Sequence, residues 1–165
     1  MARAKGGARK GGRKKTAAGA AEPVKYGPLA QWIGFNLRMA QEATFQAFSH
    51  LSKDIGENPG RFAALTIIGR NPGISQTALS RASGRDKSSM TPALEDLVRR
   101  GLVARRRTDN DRRAYRLSLT TEGERTLARL NKCAQKHERN LDRIIGLRDR
   151  EKFLQILKRI AAEIG

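Results

Sequence analysis

Eight arginines fall between positions 99 and 116 (Arg99, Arg100, Arg105, Arg106, Arg107, Arg112, Arg113 and Arg116), against two aspartates, Asp109 and Asp111. A segment with that much positive charge needs a polyanion opposite it. DNA is the simplest candidate, because lysine and arginine gain affinity there by releasing condensed counterions. The residues around the arginines indicate how they are held. Leu102 and Val103 lead in, and Tyr115, Leu117 and Leu119 alternate on the way out. Period-2 alternation on either side of a polar tip predicts a β-hairpin. Arg105 and Arg107 then share one face of it and Arg106 takes the other. The plainer alternative is a solvated charged loop; what precedes the hairpin argues against it.

Ser75 is placed to cap a short helix, Gln76–Ala82, and Ser83-Gly84 to turn the chain. Asp86 is placed to cap a second helix, Lys87–Arg100, which Gly101 stops. Two helices joined by a tight glycine turn make a helix-turn-helix, and the basic hairpin directly after it makes the motif winged. Met90, Leu94 and Leu97 form the core side of the second helix. Pro92 lies in its second turn, removes one hydrogen bond and crowds the Ser88 carbonyl, which predicts a loosened or kinked start.

Outside this motif the pattern is helical. Residues 28–53 put Leu29, Ile33, Leu37, Ala40, Thr44, Ala47, Phe48 and Leu51 on one face, with Trp32, Phe35 and Met39 beside them. Asn58-Pro59-Gly60 breaks the chain, and Phe62–Gly69 forms a short apolar helix. Thr120 or Thr121 caps a long helix striped by Leu127, Leu130, Ala134, His137, Leu141 and Ile144, and a final helix covers 150–163. The first and last helices carry more apolar surface than a small winged domain can cover, which points to a second copy of the chain. The expected fold is mainly α with a small β-hairpin wing: a winged helix-turn-helix core with N- and C-terminal dimerisation helices. The expected division is a disordered basic tail (1–27), an N-terminal dimerisation helix (28–57), a DNA-binding lobe (58–120) and C-terminal dimerisation helices (121–165).

Composition agrees. The chain has 165 residues, 34 Lys+Arg against 16 Asp+Glu, and a formal net charge of +18. That excess suggests nucleic acid or an anionic surface. Aromatics are only 5%, which disfavours a base-stacking platform for single strands or RNA. Residues 1–22 hold seven basic residues before the first acid, Glu22, in a Gly/Ala-rich run that cannot bury a core. No apolar run approaches a membrane span, no secretory signal is visible, and one cysteine fits a reducing compartment. The expected location is cytoplasmic, associated with the nucleoid. His50, His137 and Cys133 make no metal cluster. No nucleophile–base pair or phosphate loop suggests an enzyme, and no cofactor is expected.

The segment from Ser75 to Glu124 resembles the MarR family of bacterial transcription regulators. The carrying features are the helix-turn-helix S75QTALSRASGRDKSSMTPALEDLVRRGLV103, the Leu-Val-x-Arg step at 102–105, the Asp-x-Asp-Arg-Arg tip at 109–113 and the Leu-Thr-x-x-Gly exit at 119–123. The similarity extends over about residues 28–163. Members of this family are mostly homodimers that bind pseudo-palindromic operators and change grip on sensing a small molecule or oxidant.

The resemblance implies that the helix 87–100 enters the major groove, with Lys87, Ser88, Ser89 and Thr91 reaching bases and phosphates. Ser75 and Gln76, at the start of the preceding helix, join this set. Many relatives carry Arg where this chain has Pro92, so one guanine contact is absent. The wing would cross the backbone on Arg105 and Arg107. It would put Arg112 or, by the resemblance, Arg113 into the minor groove, with Asp109 and Asp111 orienting these arginines. An effector would sit between the dimerisation helices and the DNA-binding lobe, among Trp32, Phe35, Arg38, Met39, Phe62 and Leu65, with His50 and Arg61 near. An apolar slot with an arginine suits an aromatic acid or its CoA ester. The alternative reading of an aromatic–Met strip at this spacing is plain core. Cys133, beside Lys132 and Lys136, is a lesser candidate for oxidant sensing. Taken together, the expected function is a homodimeric repressor released from a palindromic operator by such a ligand. The rival is an architectural protein that coats DNA without sequence preference.

Overall fold

The computed structural model describes residues 24–108 and 111–164. The basic tail before residue 24 lies outside them, as does Asp109. Residues through Asn36 form one compact unit and Leu37–Gly165 a second. The first unit holds a 3-10 turn, Gly27–Gln31, after which Trp32 adopts an extended backbone before α1, Ile33–Leu51, begins. The expected helix 28–53 is therefore shorter at its start. Pro28, with its fixed φ, opens the 3-10 turn rather than the α-helix. Tyr26 packs on Phe35 with ring centroids 5.5 Å apart.

In the second unit α2 is Pro59–Arg70. Asn58, Pro59 and Gly60 are not a break but its start. Asn58 Oδ1 accepts the Arg61 N–H at 3.0 Å, and proline at the first helical position surrenders an N–H that has no partner there anyway. After Asn71-Pro72-Gly73 comes a two-residue strand, β1, Ile74–Ser75, which sequence periodicity could not register at that length. Then follow α3, Gln76–Ala82, and α4, Lys87–Arg99. Gly84 turns the chain between them at φ +64, a conformation open to glycine at little cost. α4 is one helix, with Pro92 inside it. β2 (Val103–Thr108) and β3 (Asp111–Leu119) form the hairpin, α5 is Thr121–Ile145 and α6 Arg150–Ile164.

The sheet has three antiparallel strands in the order β1-β3-β2, one more than the expected hairpin. Val103 pairs with Leu119 and Arg105 with Leu117. One residue past Arg107↔Tyr115 the register jumps to Thr108↔Asp111, leaving residues 112–114 as excess on β3. A bulge of this kind bends a strand and re-aims it.

The core is built from Leu65 and Ile68 of α2, Leu79 of α3, Met90, Leu94 and Leu97 of α4, Leu117 of β3 and Leu130 of α5, each at most 1% exposed. The core side expected for α4 is the one observed. The hairpin and α5 join through Thr120, whose Oγ1 donates to the Gly101 carbonyl at 2.6 Å and accepts the Gly123 N–H at 3.0 Å. Gly123 sits so close to the β2 entry that an added Cβ would lie 2.0 Å from the Leu102 carbonyl oxygen. That contact explains the glycine in the Leu-Thr-x-x-Gly exit. Among the described residues of α6 none is buried, and Phe48 alone is buried in α1. Ile144, Phe153 and Ile156 are exposed. Among the described residues no helix is long and apolar enough to cross a membrane.

Candidate DNA interface and ligand pocket

The N-terminus of α4 is organised by Asp86. Its carboxylate accepts the Ser89 N–H at 2.8 Å, the Ser88 hydroxyl at 2.6 Å and the Ser89 hydroxyl at 3.2 Å. These bonds, the Ser88 hydroxyl foremost and then the Ser89 N–H, hold the Asp86 pKa down at about 2. Thr91 donates its hydroxyl to the Lys87 carbonyl at 2.8 Å and accepts Nε2–H of Gln76 at 2.8 Å. Each hydroxyl has one hydrogen, and here each is engaged inside the protein. What Ser88, Ser89 and Thr91 offer outward is therefore lone pairs, which in a major groove complement the exocyclic amino groups of adenine and cytosine. Lys87, Ser88 and Pro92 are exposed, and Ser89 and Thr91 half-buried. Ser75 caps α3, accepting the Ala78 N–H at 3.2 Å.

The hairpin divides its arginines by face. Arg105 and Arg107 stand on the side of Tyr115 and buried Leu117, with guanidinium carbons 5.2 and 5.8 Å from the Tyr115 ring centroid. Arg107 Nε also donates to the Tyr115 hydroxyl at 3.4 Å. Arg106 and Arg116 pair across the strands on the opposite, exposed face. Arg116 Nη1 donates to the Gly73 carbonyl at 3.1 Å. The shared face expected for Arg105 and Arg107 is observed, but it is the face that leads into the core. Arg112 and Arg113 fall in the bulge at the tip.

Arg99 and Arg100 do not belong to the wing. Arg100 pairs with Glu57 at 2.7 Å and with Asp96 at 3.5 Å, Arg61 with Asp96 at 2.7 Å, and Arg99 with Asp96. The network ties the start of α2 to the end of α4. The Glu57 side chain is fully buried; burial raises its pKa, against the pull of Arg100 and then Arg61. At Asp96 burial pulls upward too, but the hydrogen bond from Arg99 and the charges of Arg61, Arg99 and Arg100 hold it below the ordinary value.

Between α1, α2 and α5 lies a cavity of about 260 Å³. Phe45, Phe48, Phe62, Pro59 and Ala134 make its apolar wall, and Gln41, Thr44, His137 and Glu138 its polar part. Phe48 stacks on Phe62 at 5.3 Å and meets His137 edge-on at 5.8 Å. A neighbouring open cleft of about 680 Å³ shares Gln41, Phe45 and Pro59, and runs past Arg61 and Arg85 to Ser89 and Pro92 of α4. On the other side an apolar groove of about 950 Å³ runs between α1, α5 and α6.

The model of the MarR family matches residues 58–115, from the α2 cap to the wing. A protein of Thauera aromatica assigned as transcriptional regulator of the hcr operon is 33% identical over 136 residues, 82% of each chain. The chain belongs to the MarR family. The transcriptional repressor CouR bound to a 23-mer DNA duplex superimposes with a TM-score of 0.78 at 34% identity, covering 85% of this chain and 99% of CouR. CouR bound to p-coumaroyl-CoA gives 0.79 at 32% identity, covering 86% and 99%.

The chain is thus a MarR-type transcriptional regulator rather than an enzyme, with the family's winged helix. Among its expected effector residues, Phe62 lines the cavity, Arg61 the neighbouring cleft and Arg38 the apolar groove. Leu65 is core, Met39 and His50 are exposed, and Trp32 and Phe35 belong to the first unit. Phe45, Gln41 and Glu138 went unnoticed in the sequence, and Thr44 was read only as part of the apolar face of the first helix. The available signal was Phe45 and Phe48 three apart on one helix, with a third aromatic, Phe62, following. His137, on the apolar stripe read for the long helix, is buried. Cys133, half-buried, donates its thiol to the Leu51 carbonyl at 3.3 Å, tying α5 to the end of α1.

Proposed function

We propose that this regulator is a homodimeric, cytoplasmic repressor that binds a pseudo-palindromic operator and is released by a small aromatic acid or its CoA ester. The observation that carries the reading is the aromatic-walled cavity at Phe48 and Phe62, opening toward a cleft with Arg61 and Arg85 that ends on α4. An aromatic ring suits the first and an anionic appendage the second. The ligand of CouR, p-coumaroyl-CoA, has that composition. α4 enters the major groove with Lys87, Ser88, Ser89 and Thr91 foremost, supported by Ser75 and Gln76. The bulged tip carries Arg112 and Arg113 to the minor groove. The second copy covers α1, α5 and α6, whose exposed Ile144, Phe153 and Ile156 would otherwise face water. Gel shifts on DNA flanking the gene, with a panel of aromatic acids and their CoA esters, test the release. Sedimentation tests the dimer. A monomer in the DNA-bound species, or a shift indifferent to every compound, would contradict the proposal.

A further inference from the structure

We propose that His137 is the polar anchor of the effector cavity, donating a hydrogen bond from Nε2–H to a neutral hydroxyl on the ligand's ring. The inference rests on the aromatic-effector reading above and names the substituent that the cavity selects. His137 is 9% exposed, and its Nδ1 is buried with no hydrogen-bond partner among the described residues. Orphaned buried donors are rarer in proteins than under-used acceptors. The ring proton therefore belongs on Nε2, leaving Nδ1 as a bare acceptor. That makes the second nitrogen a donor, on a side chain that lines both the aromatic cavity and the apolar groove.

Three further polar side chains, Gln41, Thr44 and Glu138, line both spaces as well. These four mark where cavity and groove meet. The Thr44 hydroxyl donates to the Gln41 carbonyl at 2.9 Å, so it too offers only lone pairs. Among the described residues Glu138 has one ion-pair partner, Arg150, at a loose 3.8 Å. A ligand carboxylate would meet the Glu138 charge there. A neutral hydroxyl fits better: it accepts from His137 and donates to Glu138 or Thr44, and the ring behind it packs on Phe48 and Phe62. A phenol is the simplest molecule with those features.

The test uses the full-length protein labelled with ¹⁵N-histidine, and phenol and toluene as probes. Toluene has the same shape and lacks the oxygen. His50, exposed on α1, serves as the internal reference. The expected spectrum has the Nε2-protonated pattern at His137, and phenol moves it saturably without moving His50. Toluene binds about five- to tenfold more weakly, the worth of one hydrogen bond. In His137→Phe phenol loses most of that advantage over toluene. An Nδ1-protonated pattern overturns the proposal without any variant. Equal binding of phenol and toluene by the wild type overturns it while leaving the aromatic cavity standing. Binding of neither probe removes the cavity reading and this inference together.

Discussion

Single side chains set the geometry of α4, the helix proposed to face DNA. Asp86 holds Ser88 and Ser89 through its carboxylate and fixes the start of α4. Its folded pKa of about 2 lies below the ordinary 3.8. A depressed carboxyl contributes stability that is complete above its unfolded pKa and lost as pH falls through the folded one. Protection of the first-turn amides of α4 from hydrogen exchange is therefore expected to hold above about pH 4 and decline toward pH 2. In Asp86→Ala that protection is lost at neutral pH, and operator affinity falls with it. A second residue-scale prediction concerns Gly123. A methyl group there meets the Leu102 carbonyl oxygen, so Gly123→Ala is expected to destabilise the fold by about 1–3 kcal/mol, read by urea denaturation. Unchanged stability would mean that α5 and β2 do not meet so closely. The glycine was visible in the sequence as part of a motif. Its reason was not, because the clash joins segments whose approach only the tertiary structure defines.

At the scale of elements, the sequence was most legible where periodicity and caps agreed. The caps at Ser75 and Asp86 and the core positions Met90, Leu94 and Leu97 stand where they were read, and of the two candidates Thr120 and Thr121 the first is the cap, because helix ends and apolar spacing are local properties. Three features were not local. β1 is too short to show a period and exists because Gly73 N–H donates to the Leu117 carbonyl. Asn58-Pro59-Gly60 reads as a break or as a helix start, and only packing decides. The arginine cluster looked like one patch, yet Arg99 pairs with Asp96 inside α4, Arg100 ties α4 to Glu57 just before α2, Arg105 and Arg107 lie on Tyr115, and Arg106 and Arg116 face outward. Glu57 shows what the internal pairs do. Arg100→Met would strip the nearest cation from a buried carboxylate. The expected cost is about 2–3 kcal/mol, below that of a fully enclosed pair because Arg61 remains and Arg100 is partly solvated. Chemical denaturation measures it. A neutral result would show that the Glu57–Arg100 pair does not hold the helices together.

At the scale of the whole molecule, charge and apolar surface point to two partners. A net charge of +18 predicts binding that falls steeply with salt. Removing residues 1–22 is expected to weaken operator binding more at low salt than at high, with the preferred sequence unchanged. An altered preference would mean that the tail reads bases. The apolar faces of α1, α5 and α6 were legible as a surplus in the sequence and remain uncovered in the single chain. The proposed effector cavity was least legible, because Gln41, Phe45 and Glu138 come together only once three helices pack. The central claim is a sequence-specific repressor that an aromatic ligand releases. The most direct measurement is a footprint on the DNA flanking the protein's own gene, at near-physiological salt, with and without aromatic acids and their CoA esters. A discrete palindromic footprint that disappears with one of these compounds is the expected result. Diffuse protection that none of them alters would contradict the account and leave a protein that coats DNA.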